Sequence, residues 1–256
     1  MSHSPIQLSV AIITYNEEQN IERCVRSVQP VADEIVVVDS FSTDRTKEIC
    51  QSLEVRVIEH PFEGYIEQKN FALDQVHSEY VLSLDADEEL SEALQRSIIQ
   101  FKKEGQAHAC KFNRLTNYCG QWIRHCGWYP DTKLRLWKRV EGRWGGINPH
   151  DSVQLSSLTS VVWLPGDLLH HSFNTIADHA NTANRFSEVA AREAVNRGRK
   201  VNLLVHVILN PVFTFIKKYV FQQGFRDGYY GWVISILSSY ANFLKYSKIY
   251  AHQRKK

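Results

Sequence analysis

LSVAIITYNEEQNIERCVRSVQPVADEIVVVDS, residues 8–40, reads as strand, helix, strand. LSVAII (8–13) and EIVVVD (34–39) are short, nearly unbroken apolar runs, which suits strands covered on both faces. Between them Ile21, Val25 and Val28 recur at helical spacing and fall on one face. Asn16 and Gln19 stand where an N-cap and its partner three residues on would stand. Two further runs, VRVIE (55–59) and YVLSLD (80–85), continue the series, and Ser91 is placed to cap a helix that buries Leu94, Ile98 and Phe101. Strands alternating with helices predict an α/β fold whose mostly parallel sheet is flanked by helices.

In such sheets, ligands gather beyond the carboxyl ends of the strands. Polar residues cluster there: Thr14-Tyr15-Asn16-Glu17 after the first run, Asp39-Ser40-Phe41-Ser42-Thr43-Asp44 after the second, and Asp85-Ala86-Asp87 after the fourth. No glycine precedes Gly64, so the first turn is not a GxGxxG dinucleotide fingerprint, and no GxxxxGK[ST] phosphate loop occurs. Asp85 and Asp87 are two residues apart in an extended segment and so share a side. Two carboxylates held that close repel each other unless a cation joins them. Hard carboxylate oxygens favour Mg²⁺ or Mn²⁺, which accept phosphate oxygens and water as further ligands. Glu88 and Glu89 read instead as acids decorating the start of the next helix, where the helix dipole favours them.

The chain has 256 residues, enough for one domain with an appendage or two small ones. Its formal charge of +2 hides an asymmetry: residues 192–256 carry a net +10, leaving −8 for residues 1–191. The five cysteines, Cys24, Cys50, Cys110, Cys119 and Cys126, form no CxxC pair, and the opening MSHSPIQLSV lacks the basic and long apolar segments of an export signal. The expectation is a reduced, cytoplasmic protein without structural zinc.

VAIITYNEEQNIERCVRSV, EIVVVDSFSTDRTKEI and YVLSLDADEEL, in that order, resemble the nucleotide-sugar half of family-2 glycosyltransferases with the GT-A fold. QKNFAL (68–73), GWYPDTKLRLWKR (127–139), GGINPHDSV (145–153) and KYVFQQGFRDGYYGW extend the resemblance toward bacterial lipopolysaccharide core β-1,4-glucosyltransferases. The resemblance implies a catalytic domain over 1–168, with a nucleotide-sugar half (1–104) and an acceptor half (105–168), followed by a helical, membrane-associating region over 169–256. It implies an inverting transfer of a hexose, glucose from UDP-glucose, onto a lipid-linked oligosaccharide of the lipopolysaccharide inner core.

The same resemblance implies roles by position. Thr14, Tyr15, Asn16, Glu17 and Ala86 would share the donor pocket, with Tyr15 stacking on the base and Asp39 accepting from uracil or ribose. Asp85 would contact ribose or metal, and Asp87 would hold Mg²⁺ or Mn²⁺ on the diphosphate. Lys69 and Asn70 would lie near the donor, and Arg135 would reach the diphosphate or an anionic acceptor. His170 and His171 follow the run SVVWLPGDLL, and adjacent strand residues face opposite ways, so one of them, His170, would complete the metal site. Asp151 aligns with the acid of a His-Glu pair and would be the catalytic base; on local sequence alone it is equally a turn aspartate.

VNLLVHVILNPVFTFI (201–216) and YYGWVISILSSYANFL (229–244) are apolar, yet each is shorter than the about 20 residues that span a bilayer, and Asn210-Pro211 interrupts the first. Lys217, Lys218, Arg226, Lys245, Lys248, Arg254, Lys255 and Lys256 flank them among aromatic residues. That pattern suits an anionic membrane surface, placing the protein peripherally on the cytoplasmic face of the inner membrane; a helical pair packed on the catalytic domain is the alternative. No RNP, zinc-finger or helix-turn-helix pattern supports a nucleic-acid partner. A non-catalytic nucleotide-sugar-binding protein, a transferase for another cell-surface glycan and a nucleotidyltransferase are the competing functions.

Overall fold

The computed structural model describes residues 6–105, 107–147, 150–156 and 160–254. The chain packs into two compact units, one comprising the chain up to Arg114 with Asp131–His171, the other Leu115–Pro130 with the chain from Ser172 onward. Leu115–Pro130, which the sequence reading groups with the acceptor half, thus packs among the C-terminal helices.

The first unit opens β1 (Leu8–Thr14), α1 (Ile21–Val28), β2 (Glu34–Asp39), α2 (Thr46–Ser52), β3 (Arg56–Glu59), α3 (Tyr65–Asp74) and β4 (Tyr80–Asp85). Strands β3, β2, β1 and β4 are neighbours in that order and parallel, with Ile12 opposite Val37 on one side and Leu84 on the other. All seven residues of β1 are buried, as a two-faced strand requires. Next come β5 (Glu88–Leu90), α4 (Glu92–Glu104), β6 (Ala109–Tyr118), β7 (Gln121–Ile123), β8 (Asp131–Lys138), β9 (Gly142–Ile147), β10 (His150–Leu155) and β11 (Val161–Phe173). Strand β8 joins β4 antiparallel, and the sheet continues through β6 and β11 to β5, while β9 and β10 form a separate ribbon.

Two local expectations meet different outcomes. Ser91 is the N-cap of α4 and accepts from the Leu94 N–H at 3.3 Å, with Leu94, Ile98 and Phe101 buried. Gly166, at φ +107°, lets β11 pass the start of this helix: a Cβ there would sit 2.3 Å from the Leu94 nitrogen. Asn16, by contrast, caps no helix. Helix α1 starts at Ile21 with Asn20 as N-cap, and Asn16 adopts φ +53° while its side-chain oxygen accepts from the Thr43 N–H at 2.8 Å. The polar Thr14–Asn20 stretch forms a loop laid on the Asp39–Asp44 loop, a long-range contact that capping rules do not encode.

The second unit is mainly helical. Helix α5 (Ile176–Asn196) begins at a Thr175–Asp178 capping box. A helical run over Leu203–Phe221 follows, in which α6 (Asn210–Ile216) is flanked by wider π-helical turns, and α7 (Gly228–Gln253) closes the chain. Asn210-Pro211 does not interrupt the run as the sequence suggests. Pro211 falls at the start of α6, directly after the π-helical turns of Leu203–Leu209, and the helical run continues through it. The run is therefore 19 residues, long and apolar enough to cross a membrane by length and composition, and only 11% of its apolar window is buried. Helix α7 packs at Gly231, where a Cβ would lie 1.9 Å from the Gly224 carbonyl oxygen. Buried Asp227 binds the neighbouring loop, accepting from the His125 N–H at 2.8 Å and meeting the His125 Nδ1 at 2.8 Å. The five cysteines are all free.

Candidate active site

At the carboxyl ends of β1 and β4 the first unit encloses a cavity of about 600 Å³ lined by Thr14, Tyr15, Glu17, Asp85, Ala86, Asp87 and His170, together with Ile13, Ser40, Phe62, Tyr65 and Gln68. The Asp85-Ala86-Asp87 turn is held by backbone bonds: the Ala86 N–H donates to the Ile13 carbonyl at 3.1 Å, and the His171 N–H to the Asp87 carbonyl at 2.9 Å. On β11 the adjacent histidines diverge. His170 Nε2 lies 3.1 Å from Asp87 Oδ2, and His171 Nε2 lies 3.2 Å from Glu89 Oε1.

Glu88 is not a helix-end decoration, contrary to the sequence reading. It lies in β5, 1% exposed, and its carboxylate accepts from the Asp85 N–H at 3.1 Å. It belongs to a chain of alternating charges: Asp151, Lys69, Asp85, Arg135, Glu88, Arg114 and Asp131, with successive contacts of 2.8, 3.1, 3.1, 2.9, 3.3 and 2.9 Å. Burying charges costs free energy unless each is paired and hydrogen-bonded, and the alternation supplies that pairing. Glu89, too, sits in β5 rather than on a helix, and Arg23 approaches it at 3.2 Å.

Trp144 on β9 backs the two cations. Lys69 Nζ lies 4.4 Å from its ring centre and the Arg135 guanidinium 5.0 Å away, within cation–π range. Burial alone would raise the Asp85 carboxyl, but the Lys69 ammonium and the Arg135 guanidinium outweigh it and hold the group well below the usual carboxylate range. Burial raises the Glu17 carboxyl, an Asn20 hydrogen bond opposes that, and the Asp87, Asp44 and Asp85 charges add to the rise. The wall of the cavity is thus acidic.

Of the residues singled out in the sequence, Thr14, Tyr15, Glu17, Asp85, Ala86, Asp87 and His170 share this wall. The Thr14 hydroxyl is buried without a protein partner, and Tyr15 is 58% exposed. Lys69, Arg135 and Asp151 stand behind Asp85 in the charge chain rather than on the wall. Asp39 is fully buried, its carboxylate accepting from the Ser42 N–H at 2.8 Å and from the Ser42 hydroxyl. Asn70 clamps β9, accepting from the Trp144 N–H at 3.0 Å and donating to its carbonyl at 2.9 Å. Asn16 shapes the neighbouring loop. Ser40, Phe62, Tyr65 and Gln68 complete the wall; no motif spacing marks them, although Ser40 follows β2 and Gln68 opens QKNFAL.

The donor set fits a divalent cation that shares its ligands with a substrate. Asp87 offers a hard oxygen and His170 a nitrogen, while Asp85 is already engaged by two cations. Among the described residues no group of three or more His, Cys, Asp or Glu side chains could hold a metal. Such a site suits Mg²⁺ or Mn²⁺ bound by one or two protein ligands plus phosphate oxygens.

The model of the family "Glycosyl transferase family 2" matches residues 9–164. An uncharacterized glycosyltransferase of Rickettsia typhi is 32% identical over 253 residues, covering 95% of this chain and 86% of its own length. The lipopolysaccharide core biosynthesis glycosyltransferase LpsC of Rhizobium meliloti is 28% identical over 263 residues, covering 96% of this chain and 92% of its own. Among solved structures, S. aureus TarS aligns with a TM-score of 0.48 at 15% identity, covering 86% of this chain and 45% of that one. Glucosyl-3-phosphoglycerate synthase of Mycobacterium tuberculosis aligns with a TM-score of 0.41 at 19% identity over 53% of this chain and 57% of that one. With a family match across most of its length and full-length relatives above 30% identity, the chain is a glycosyltransferase and belongs to glycosyl transferase family 2.

Proposed function

We propose that this glycosyltransferase moves a hexose, glucose from UDP-glucose, onto a lipid-linked saccharide of the lipopolysaccharide core, with inversion at the anomeric carbon. The observation that carries the reading is the Asp85-Ala86-Asp87 turn set against His170 in an acidic cavity at the carboxyl end of a central parallel strand. The acceptor class follows from the likeness to a core-biosynthesis relative over nearly the full chain. The basic, aromatic-flanked helices supply a surface for an anionic leaflet where such an acceptor is met.

In this mechanism Tyr15, exposed at the cavity, stacks on the nucleobase, and the unpartnered Thr14 hydroxyl hydrogen-bonds the donor. Lys69 and Arg135 keep Asp85 ionised and immobile, so the turn that presents Asp87 does not collapse under its own repulsion. Asp87 and His170 would hold the divalent cation, which when bound offsets the charge that develops on the leaving diphosphate. Asp151, held by Lys69 at 2.8 Å beside the donor cavity rather than on its wall, would take the proton of an acceptor hydroxyl that enters from its own side. The acceptor oxygen then bonds to the anomeric carbon as its bond to phosphate breaks, so one base suffices and no glycosyl-enzyme forms.

Calorimetry with UDP tests the site. Binding should need Mn²⁺ or Mg²⁺, and Asp87→Ala should abolish it and reduce transfer by at least about 10²-fold, the scale of lost charge stabilisation at a reacting group. Equal affinity with metal and with excess chelator, or wild-type turnover in Asp87→Ala, overturns the assignment.

A further inference from the structure

The second unit holds a cavity of about 420 Å³, within the about 300–1,000 Å³ typical of small-molecule pockets. Small side chains open it, Ala183 and Ala190 on α5 and Ala241 on α7, and Trp128, Phe173, Phe186 and Leu237 give it an apolar lining. Its charged residues are Lys218 and Lys245, and among the described residues no Asp or Glu reaches the wall. His179 adds no charge at neutral pH: burial and the nearby Lys218 push its pKa down to about 4, and its Nδ1 lies 3.1 Å from the Tyr118 hydroxyl.

Lys218 Nζ donates to the Cys126 carbonyl at 2.9 Å, and burial pushes its ammonium down. Among the described residues neither Lys218 nor Lys245 pairs with a carboxylate; Lys245 lies instead over the Tyr246 ring at 5.5 Å. A cation drawn out of water without a counter-charge is disfavoured, so an anion on this wall would relieve the cost. The helical run that contributes Thr214 and Lys218 to the cavity also exposes Val212, Phe213, Ile216 and Val220. An alkyl chain thus has the apolar wall of Trp128, Phe173, Phe186 and Leu237 in the same cavity as the two lysines.

We infer that this cavity binds a phosphorylated lipid, with its chain along the Phe, Leu and Ala wall and its phosphate on Lys218 and Lys245. The inference stands apart from sugar transfer, because every residue it uses lies in the second unit. The probe is dodecyl phosphate, titrated into the full chain below its micelle-forming concentration and followed by calorimetry, beside dodecyl maltoside and inorganic phosphate. Saturable one-to-one binding is expected, at least about tenfold tighter than for the maltoside, as charge-assisted hydrogen bonds supply. Ala241→Trp, which fills the cavity, should abolish it, and Lys245→Gln should weaken it about tenfold, with unchanged circular dichroism in each. Should Ala241→Trp fail to fold, Lys245→Gln decides the matter, its side chain being only partly buried. Equal affinity for the two detergents, inorganic phosphate binding as tightly as the alkyl phosphate, or binding seen only above the micelle concentration would each overturn the proposal.

Discussion

Strand β1 and the helical run Leu203–Phe221 are both made mostly of apolar residues, and their surroundings are opposite. Every residue of β1 is buried, whereas Leu204, Leu209, Phe213 and Phe221 are each more than half exposed. Charge shows the same contrast. In the first unit Lys69 and Arg135 are nearly inaccessible and each bridges two carboxylates, while in the second Lys218 and Lys245 meet none among the described residues. Apolar sequence implies burial only where a second layer is available to cover it. An apolar face left open beside cations that meet no carboxylate is the pattern on which the proposed lipid contact rests.

The largest effect should come from the paired side. Asp151→Asn keeps the shape of the side chain but removes the proposed base, and should cut transfer by about 10²–10⁴-fold while UDP-sugar affinity stays almost intact. Paired measurements, donor affinity by calorimetry and transfer at saturating donor, check this. Transfer retained within a few-fold reduces Asp151 to a counter-ion for Lys69, and parallel loss of donor binding makes the ion chain purely architectural.

Stability tests the apolar half of the contrast directly. Ile12→Ala, at a fully buried strand position, should lower unfolding free energy by about 2–5 kcal/mol. Leu209→Ala, 52% exposed, should change it by no more than about 0.5 kcal/mol in detergent-free solution. Comparable losses from the two would mean that the Leu203–Phe221 face is covered within the folded protein.

Replacing Lys217, Lys218, Lys245 and Lys248 with Gln should weaken binding to anionic vesicles by about 1 kcal/mol for each charge at the surface. Lys218, half-buried and donating to the Cys126 carbonyl, and Lys248, already held by Glu188 at 3.2 Å, should matter least. A wild-type protein that ignores such vesicles at low salt removes the membrane reading. The smallest effect concerns pH. Burial lowers the folded-state pKa of His179 to about 4, so the stability it contributes is complete above its unfolded value near pH 6.5 and is lost as pH falls toward 4. His179→Gln should flatten the decline of the urea midpoint over that window; an unchanged slope assigns the decline to other groups.

Much of the first unit was legible from residues alone. Near-continuous apolar runs give the parallel strands, and polar clusters after the first, second and fourth mark the end where ligands gather in such sheets, because neighbouring backbone geometry dictates both. Thr14, Tyr15, Asp85 and Asp87 were found that way and do line the cavity. Family likeness pointed to Lys69, Arg135 and Asp151, but not to the chain of ions that joins them. Glu88 went unread as a buried charge because its partners Arg114 and Arg135 lie 26 and 47 residues away, and a short strand after the Asp85-Ala86-Asp87 turn, paired with β11, replaces the helix start that local rules favour.

The sequence by itself therefore determined where strands run and which end carries the polar groups, since these depend on residues a few positions apart; Asp85 and Asp87 both line the cavity, but through a turn rather than the extended segment their spacing suggests. Tertiary structure alone decided which of those groups reach the cavity and which turn inward, as Asp39 does toward Ser42 and Asn70 toward Trp144. It also decided that Pro211 is carried within one helical run and that an apolar face stays exposed. The physical reason is common to all of these. Burial, ion pairing and the cover over a helix are set by partners distant in sequence, and no window of neighbouring residues contains them.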